Sequence, residues 1–528
     1  MTTRLVATLL TDTPEQAASA LAAPLPGVDF VELRLDALRE PRAQAVQALL
    51  ALPRRVPVIA TCRAPAQGGL AELDDAARLA LLAVAGEAGA ELLDLEDTVI
   101  DQLPASVPGD RIASCHLSRF MPRLTSLGKR VIDRGARFAK LAVPANSPRH
   151  LAKLLELQDE LGEQLALVPT GRLAEAGRVM AAARGCPLTY GALDAERPGH
   201  PDQPHAQRLH DDYAVALLGP ATRFVAVVGR PVRHSMSPRY HNAVLRGVAQ
   251  NTRMVPMELD KLADLMPLVD ELRLDGMAVT HPLKREALTA AAAALPGASS
   301  TGAANTLLRT PAGWQARNTD WKAACDLLPR VLKAWRHVDG PPSDWLDAVV
   351  QSAWKNSAGP GSRSKGEGRG TPKLLLLGAG GAARALAVAL FEQDVELAIW
   401  SRRLSNARKL VSDLSEMLPA VAVPEPAQQP ADIVLNATPV GMPGIDPFEL
   451  EALGDLSFRP GALVIDLTYG AGPSPIRDAA ARAGAALLPG EAFFGLQARR
   501  QAEVFTQGTA TRDPLLAAAR RCGLLADE

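Results

Sequence analysis

The chain has no paired-cysteine signature. Its five cysteines stand at positions 62, 115, 186, 325 and 522 of 528 residues, and none forms a Cys-x-x-Cys motif. So few, and an odd number, exclude a disulfide scaffold and read as reduced thiols in a cytoplasmic protein. There is no excess of either charge, with 57 Lys and Arg against 58 Asp and Glu. That balance removes the electrostatic case for a nucleic acid or a membrane surface as partner. No window approaches the ~20 uninterrupted apolar residues needed to span a bilayer. The opening MTTRLVATLLTDTPEQ has only a brief apolar run before Asp12, too short for a secretory signal. The nine histidines are dispersed, with no HExxH or other ligand spacing, so no metal is expected. No short internal repeat is evident. Small-molecule substrates remain as partners, with an oligomer open.

What is present is alternation. The chain is too long for one core, so two to four domains are expected. Eight short apolar runs alternate with Ala/Leu-rich helical stretches: 4–10, 29–36, 57–63, 90–96, 111–117, 137–143, 165–170 and 187–193. Alternating β and α argues for parallel strands, and eight units in about 200 residues fit a (β/α)8 barrel over 1–218. Polar residues recur at the carboxyl ends of these strands, where barrel active sites lie. After Gly219 the pattern restarts at RFVAVVG, and 219–330 reads as a second α/β domain. Residues 331–371 read as an insertion or flexible linker, because SAGPGSRSKGEGRGTP (357–372) cannot bury a core. A third α/β unit follows over 372–494. A long amphipathic helix begins at 495 and is expected to pack, within 495–528, on the second domain.

The segment KLLLLGAGGAARALAVAL (373–390) is a buried strand running into a helix. Gly378, Gly380 and Ala383 form G-x-G-x-x-A across the turn, with Gly381 and Ala382 between. Such glycines permit a tight turn and bring a helix N-terminus to a pyrophosphate. The next strand ends in Ser401-Arg402-Arg403 rather than in an acid. Two guanidiniums suit a ribose 2′-phosphate, so NADP(H) is expected over NAD.

In GARFAKLAVP (135–144) Lys140 sits among Phe138, Ala139, Leu141 and Val143. An ammonium in an apolar strand is costly unless something uses it. On the sixth strand it would point into the barrel mouth, where desolvation favours the neutral, ketone-attacking amine. His116, on the fifth strand about 4.8 Å away, would take a proton alpha to the iminium.

Several ordered motifs carry a family resemblance. VVGRPVRHSMSPRYHN (227–242), AVTHPLK (278–284), GAANTL (302–307), NTD (318–320), NATPVGM (436–442) and DLTYG (466–470) resemble the shikimate dehydrogenases over about 223–525. The resemblance implies Lys284 and Asp320 as the catalytic pair. It implies Ser235, Ser237, Thr280, Asn305 and Gln497 as substrate-binding, and Asn436 and Thr438 on the cofactor side. Asp320 alone could also be a helix N-cap. The first half resembles the type I 3-dehydroquinate dehydratases, Schiff-base barrel enzymes, over about 4–215. VELRLD (31–36) supplies Glu32 and Arg34, TCR supplies Arg63, and Arg178 falls at the spacing of a carboxylate-binding arginine before TYGA. Three positions depart from that family. Gln67 stands where a glutamate usually partners the histidine, Leu117 where an aspartate usually follows it, and His200 where a substrate-binding glutamine usually follows Pro-Gly. The two resemblances imply consecutive steps: dehydration of 3-dehydroquinate on Lys140, then reduction of 3-dehydroshikimate with NADPH. The alternatives are a dehydrogenase carrying an inert barrel, and a quinate/shikimate dehydrogenase preferring NAD.

Overall fold

The structure, a computed structural model, describes residues 2–39, 42–356, 369–442, 453–470, 472 and 474–525. The chain divides into two compact units, 1–242 with 251–275 and 243–250 with 276–528.

The first unit holds an eight-stranded parallel sheet: β1 (Arg4–Leu9), β2 (Phe30–Arg34), β3 (Val58–Thr61), β4 (Leu92–Glu96), β5 (Asp110–His116), β6 (Phe138–Pro144), β7 (Leu165–Thr170) and β8 (Leu188–Ala192). Its order is β7-β6-β5-β4-β3-β2-β1-β8, and helices separate the strands in sequence. This is the (β/α)8 arrangement and the α/β class expected. Side chains alternate across each strand, so every second residue faces the interior. Val6, Phe30, Ile59, Leu92, Ile112 and Phe138 pack together as one apolar cluster. Two residues further along their strands come Thr8, Glu32, Thr61, Asp94, Ser114 and Lys140, all buried. The interior thus passes from apolar to charged toward the carboxyl ends. The same unit includes the parallel pair β9 (Arg223–Gly229) and β10 (Thr252–Glu258).

The division falls inside β11 (Leu274–Val279). In the second unit β11 runs antiparallel to β13 (Thr306–Thr310), which pairs with β14 (Gly313–Arg317); β14 also takes β12 (Ala293–Ala294) in parallel. The remaining strands are β15 (Lys373–Leu377), β16 (Glu396–Trp400), β17 (Ala420–Ala422), β18 (Ala431–Asn436), β19 (Phe458–Asp466) and β20 (Ala486–Leu488). They form a parallel sheet of order β17-β16-β15-β18-β19-β20. That order reverses between β15 and β18, and the crevice outside their carboxyl ends is where such sheets take a dinucleotide.

The stretch 331–371, expected as a linker, is not all irregular. It holds the end of the helix Thr319–His337 and the helix Leu346–Lys355, whose Val349 and Trp354 are fully buried. Residues 357–368 of the expected insertion lie outside the described residues. The terminal helix runs Gly490–Phe505 rather than from 495, and a separate helix, Arg512–Arg521, follows it.

Candidate active sites

Lys140 points into the barrel. Its Nζ lies 2.9 Å from Glu32 Oε1, 2.8 Å from Asp94 Oδ2 and 3.9 Å from the centre of the Tyr190 ring, and the residue is 3% exposed. Two carboxylates thus stand within ion-pair distance of this amine. Asp94 also receives Arg63 Nη2 at 3.3 Å, while Arg63 Nη1 donates to Ser114 Oγ at 2.9 Å. Burial works against the ionised acids, yet Arg63 and then Lys140 hold the Asp94 carboxyl far below its usual range. Glu32 is lowered likewise, burial again opposing and Lys140 leading the attractions. Thr8 and Thr61 hydroxyls donate to the two Glu32 oxygens at 2.8 and 3.0 Å.

His116 meets Gln67 as its partner. Gln67 Oε1 accepts the His116 backbone N–H at 3.0 Å and faces Nδ1 at 3.3 Å. Because that oxygen only accepts, Nδ1 carries the ring proton and Nε2 is the free base. Burial, then the charges of Arg63 and Lys140, push the imidazole well below its ordinary pKa. An amide fixes this tautomer as a carboxylate would, without stabilising the imidazolium.

Around the mouth, Arg34 is held by Asp36 through Nε at 2.9 Å and Nη2 at 2.7 Å. Arg178 is 2% exposed, and its guanidinium donates to the carbonyls of Pro169 (3.1 Å) and Tyr190, on β7 and β8. Burial pulls it down to about 10. His200 does not place a polar group inward: its Nδ1 accepts the Asp202 N–H at 3.2 Å and its side chain is 49% exposed. The amide at the mouth is Gln203. Its Nε2 donates to Thr8 Oγ1 at 2.9 Å, and its Oε1 accepts the Gly199 N–H at 2.8 Å. The occupied position lies three residues beyond the expected one, which hid it from motif spacing. Asp94 and Glu96 were missed too, although acids inside the apolar run ELLDLE carry the signal that marked Lys140.

In the second unit, Lys284 Nζ donates to Asp320 Oδ2 at 2.6 Å. Lys284 opens the helix Lys284–Ala290, and Asp320 lies in the first turn of Thr319–His337. The N-cap of that helix is Asn318, whose Oδ1 accepts the Trp321 N–H at 3.1 Å, so Asp320 is not the cap. Asn305 Nδ2 donates to Thr319 Oγ1 at 2.9 Å and reaches Gln497 Oε1 at 3.4 Å, which gathers both residues beside the pair's helix. Thr280 directly follows β11 and is half-buried. Ser235 and Ser237, in the first unit, stand in one turn, where Ser235 Oγ accepts the Ser237 N–H at 3.2 Å.

Gly378 follows β15 at φ +112°, and a Cβ there would lie 2.9 Å from the Ala437 carbonyl. A Cβ on Gly380 would meet open space, and one on Gly381 would lie 3.2 Å from Lys284 Cδ. Ala382 is half-buried in the helix Gly381–Ala389 that these glycines open. The glycine turn therefore presents bare backbone close to Lys284. Ser401, Arg402 and Arg403 lie just past β16, both arginines exposed. Asn436 does not reach outward. It is wholly buried, donating to Asp466 Oδ1 at 2.8 Å and accepting the Thr438 hydroxyl at 2.7 Å, so it shapes the turn that holds Thr438.

Two family profiles match: "Type I 3-dehydroquinase" over residues 5–217 and "Shikimate dehydrogenase substrate binding domain" over residues 227–307. The chain is 28% identical over 501 residues to the chloroplastic bifunctional 3-dehydroquinate dehydratase/shikimate dehydrogenase of Arabidopsis thaliana, covering 91% of this chain and 78% of that one. It is 34% identical over 279 residues to the shikimate dehydrogenase (NADP(+)) of Anaeromyxobacter sp. strain K, covering 51% and 86%. It is also 34% identical over 309 residues to that of Anaeromyxobacter sp. strain Fw109-5, covering 56% and 95%. The chain belongs to the shikimate dehydrogenase family, and its residues 5–217 match the type I 3-dehydroquinase profile.

Proposed function

We propose that this chain catalyses two consecutive steps: dehydration of 3-dehydroquinate in the barrel, then NADPH-dependent reduction of 3-dehydroshikimate to shikimate. One observation carries the first step: a buried Lys140 amine between Glu32 and Asp94 at the charged end of the barrel interior. Lys140 attacks the substrate ketone as the neutral amine. Loss of water from the adduct gives an iminium, which acidifies the adjacent C–H. His116 Nε2 removes that proton and returns it to the departing hydroxyl, which leaves as water. Hydrolysis frees the enone and restores Lys140. Arg34, Arg63, Arg178 and Gln203 supply the polar groups that orient an anionic polyol, with Glu32 fixed between Thr8 and Thr61.

For the second step NADPH supplies a hydride when bound. The bare turn Gly378–Gly381 with Ala382 fits its pyrophosphate, Ser401, Arg402 and Arg403 fit its 2′-phosphate, and Thr438 lines the crevice. Lys284, held by Asp320, donates the proton that the new hydroxyl requires. Thr280, Asn305 and Gln497 position the substrate's hydroxyls. No helix among the described residues is long and apolar enough to cross a membrane. The few, scattered cysteines, without a Cys-x-x-Cys motif, support a cytoplasmic placement.

The test is the purified chain with 3-dehydroquinate alone. Growth of enone absorbance supports the dehydration, and subsequent NADPH oxidation supports the coupled reduction. No enone, with 3-dehydroshikimate still reduced, would leave a dehydrogenase carrying an inert barrel.

A further inference from the structure

Between the barrel and the β9–β10 pair, inside the first unit, lies an open cleft. Arg172, Asp202 and Gln203 line one side, Arg233 and Glu258 the other. Resting on the dehydration proposed above, we propose that Asp202 and Arg233 are positioning residues for it. Their ion pair across this cleft holds the loop that carries Gln203 against the barrel mouth.

Asp202 joins three segments. Its Oδ1 receives Arg233 Nη2 at 2.6 Å, from the loop after β9. Its Oδ2 accepts the Gly171 N–H at 3.0 Å, from the loop after β7. It directly precedes Gln203, whose amide reaches Thr8. Thr8 in turn donates to Glu32, and Glu32 pairs with Lys140. Moving Asp202 therefore moves the amide at the end of a chain leading to the reacting amine. A second bridge, of opposite polarity, crosses the same gap: Arg172 Nη1 to Asp260 Oδ2 at 2.7 Å, with Arg230 on the other oxygen at 2.9 Å.

Charge gives the pair a second effect. Asp202 is the leading acidic neighbour of Arg178. Unpaired, its carboxylate would compete with an anionic substrate for that guanidinium. Arg233 cancels much of that charge. Asp202 is 18% exposed and Arg233 45%, so water weakens the pair without abolishing it. Asp202, one of the three residues between Gly199 and Gln203, thereby acquires a use.

The test is steady-state dehydration of 3-dehydroquinate by the full chain with Arg233→Ala, Arg233→Lys, Asp202→Asn and the double variant D202N/R233A. Arg233→Ala should raise KM about threefold to fivefold, the range of a partly exposed ion pair, with kcat within about twofold. Arg233→Lys should keep most of the wild-type KM. The double variant should be no worse than the worse single one, because both remove one interaction. Should Arg233→Ala fail to fold, Asp202→Asn reads the same pair from its other end. An unchanged KM in both single variants, or additive losses in the double variant, would overturn the clasp while leaving the dehydratase reading intact. A wild-type chain that forms no enone would overturn both.

Discussion

In the proposed dehydration, the Gln67 amide beside His116 sets how the base responds to pH. His116 is already driven toward its neutral form by burial and by Arg63 and Lys140. A neutral base is the active form for proton removal, so the acidic limb of kcat/KM lies where His116 protonates. An anionic partner would stabilise the imidazolium and raise that pKa. Gln67→Glu is therefore expected to move the acidic limb to higher pH by about one unit or more. A pH profile of dehydration checks it; a shift to lower pH, or none, would show that Gln67 does not set the His116 charge. At this scale the sequence was legible where a charged side chain interrupts an apolar strand, as at Lys140. It was less legible for Asp94 and Asp36, whose roles depend on which strands become neighbours. Gln203 was illegible, because loop spacing follows insertions and not chemistry.

At the scale of elements, the helix Thr319–His337 presents Asp320 to Lys284 from its first turn. Asn318 caps it, and the same amide donates to Thr301 Oγ1 at 2.9 Å and the Ala303 carbonyl at 3.0 Å. Asn318→Ala should lower stability by about 1–2 kcal/mol through loss of the cap. Because Asp320 moves with the first turn, dehydrogenase activity should fall while dehydration persists; thermal melts and the two assays measure this. A variant that melts like the wild type would contradict the capping account. Strand–helix alternation was readable because buried parallel strands are short apolar runs. The helix Gly490–Phe505 was read as starting late because glycines open it. A Cβ at Gly490 would lie 2.0 Å from the Thr468 carbonyl, and one at Gly495 2.8 Å from Trp354. Close approach, not helix propensity, selects glycine there. The helix Leu346–Lys355 was hidden for a related reason, since its burial of Trp354 needs that distant partner.

At the scale of the whole molecule, the two proposed reactions fall to separate lysines. Lys140→Met should abolish dehydration yet leave reduction of 3-dehydroshikimate near its wild-type rate, and Lys284→Met should do the reverse. Assays with each substrate separately read this. Loss of both activities from either change would refute the division. The most direct measurement is borohydride reduction of the chain during turnover of 3-dehydroquinate, followed by peptide mass spectrometry. One stable adduct is expected, on the peptide bearing Lys140 and absent from Lys140→Met. An adduct on another lysine, or none while enone forms, would contradict it.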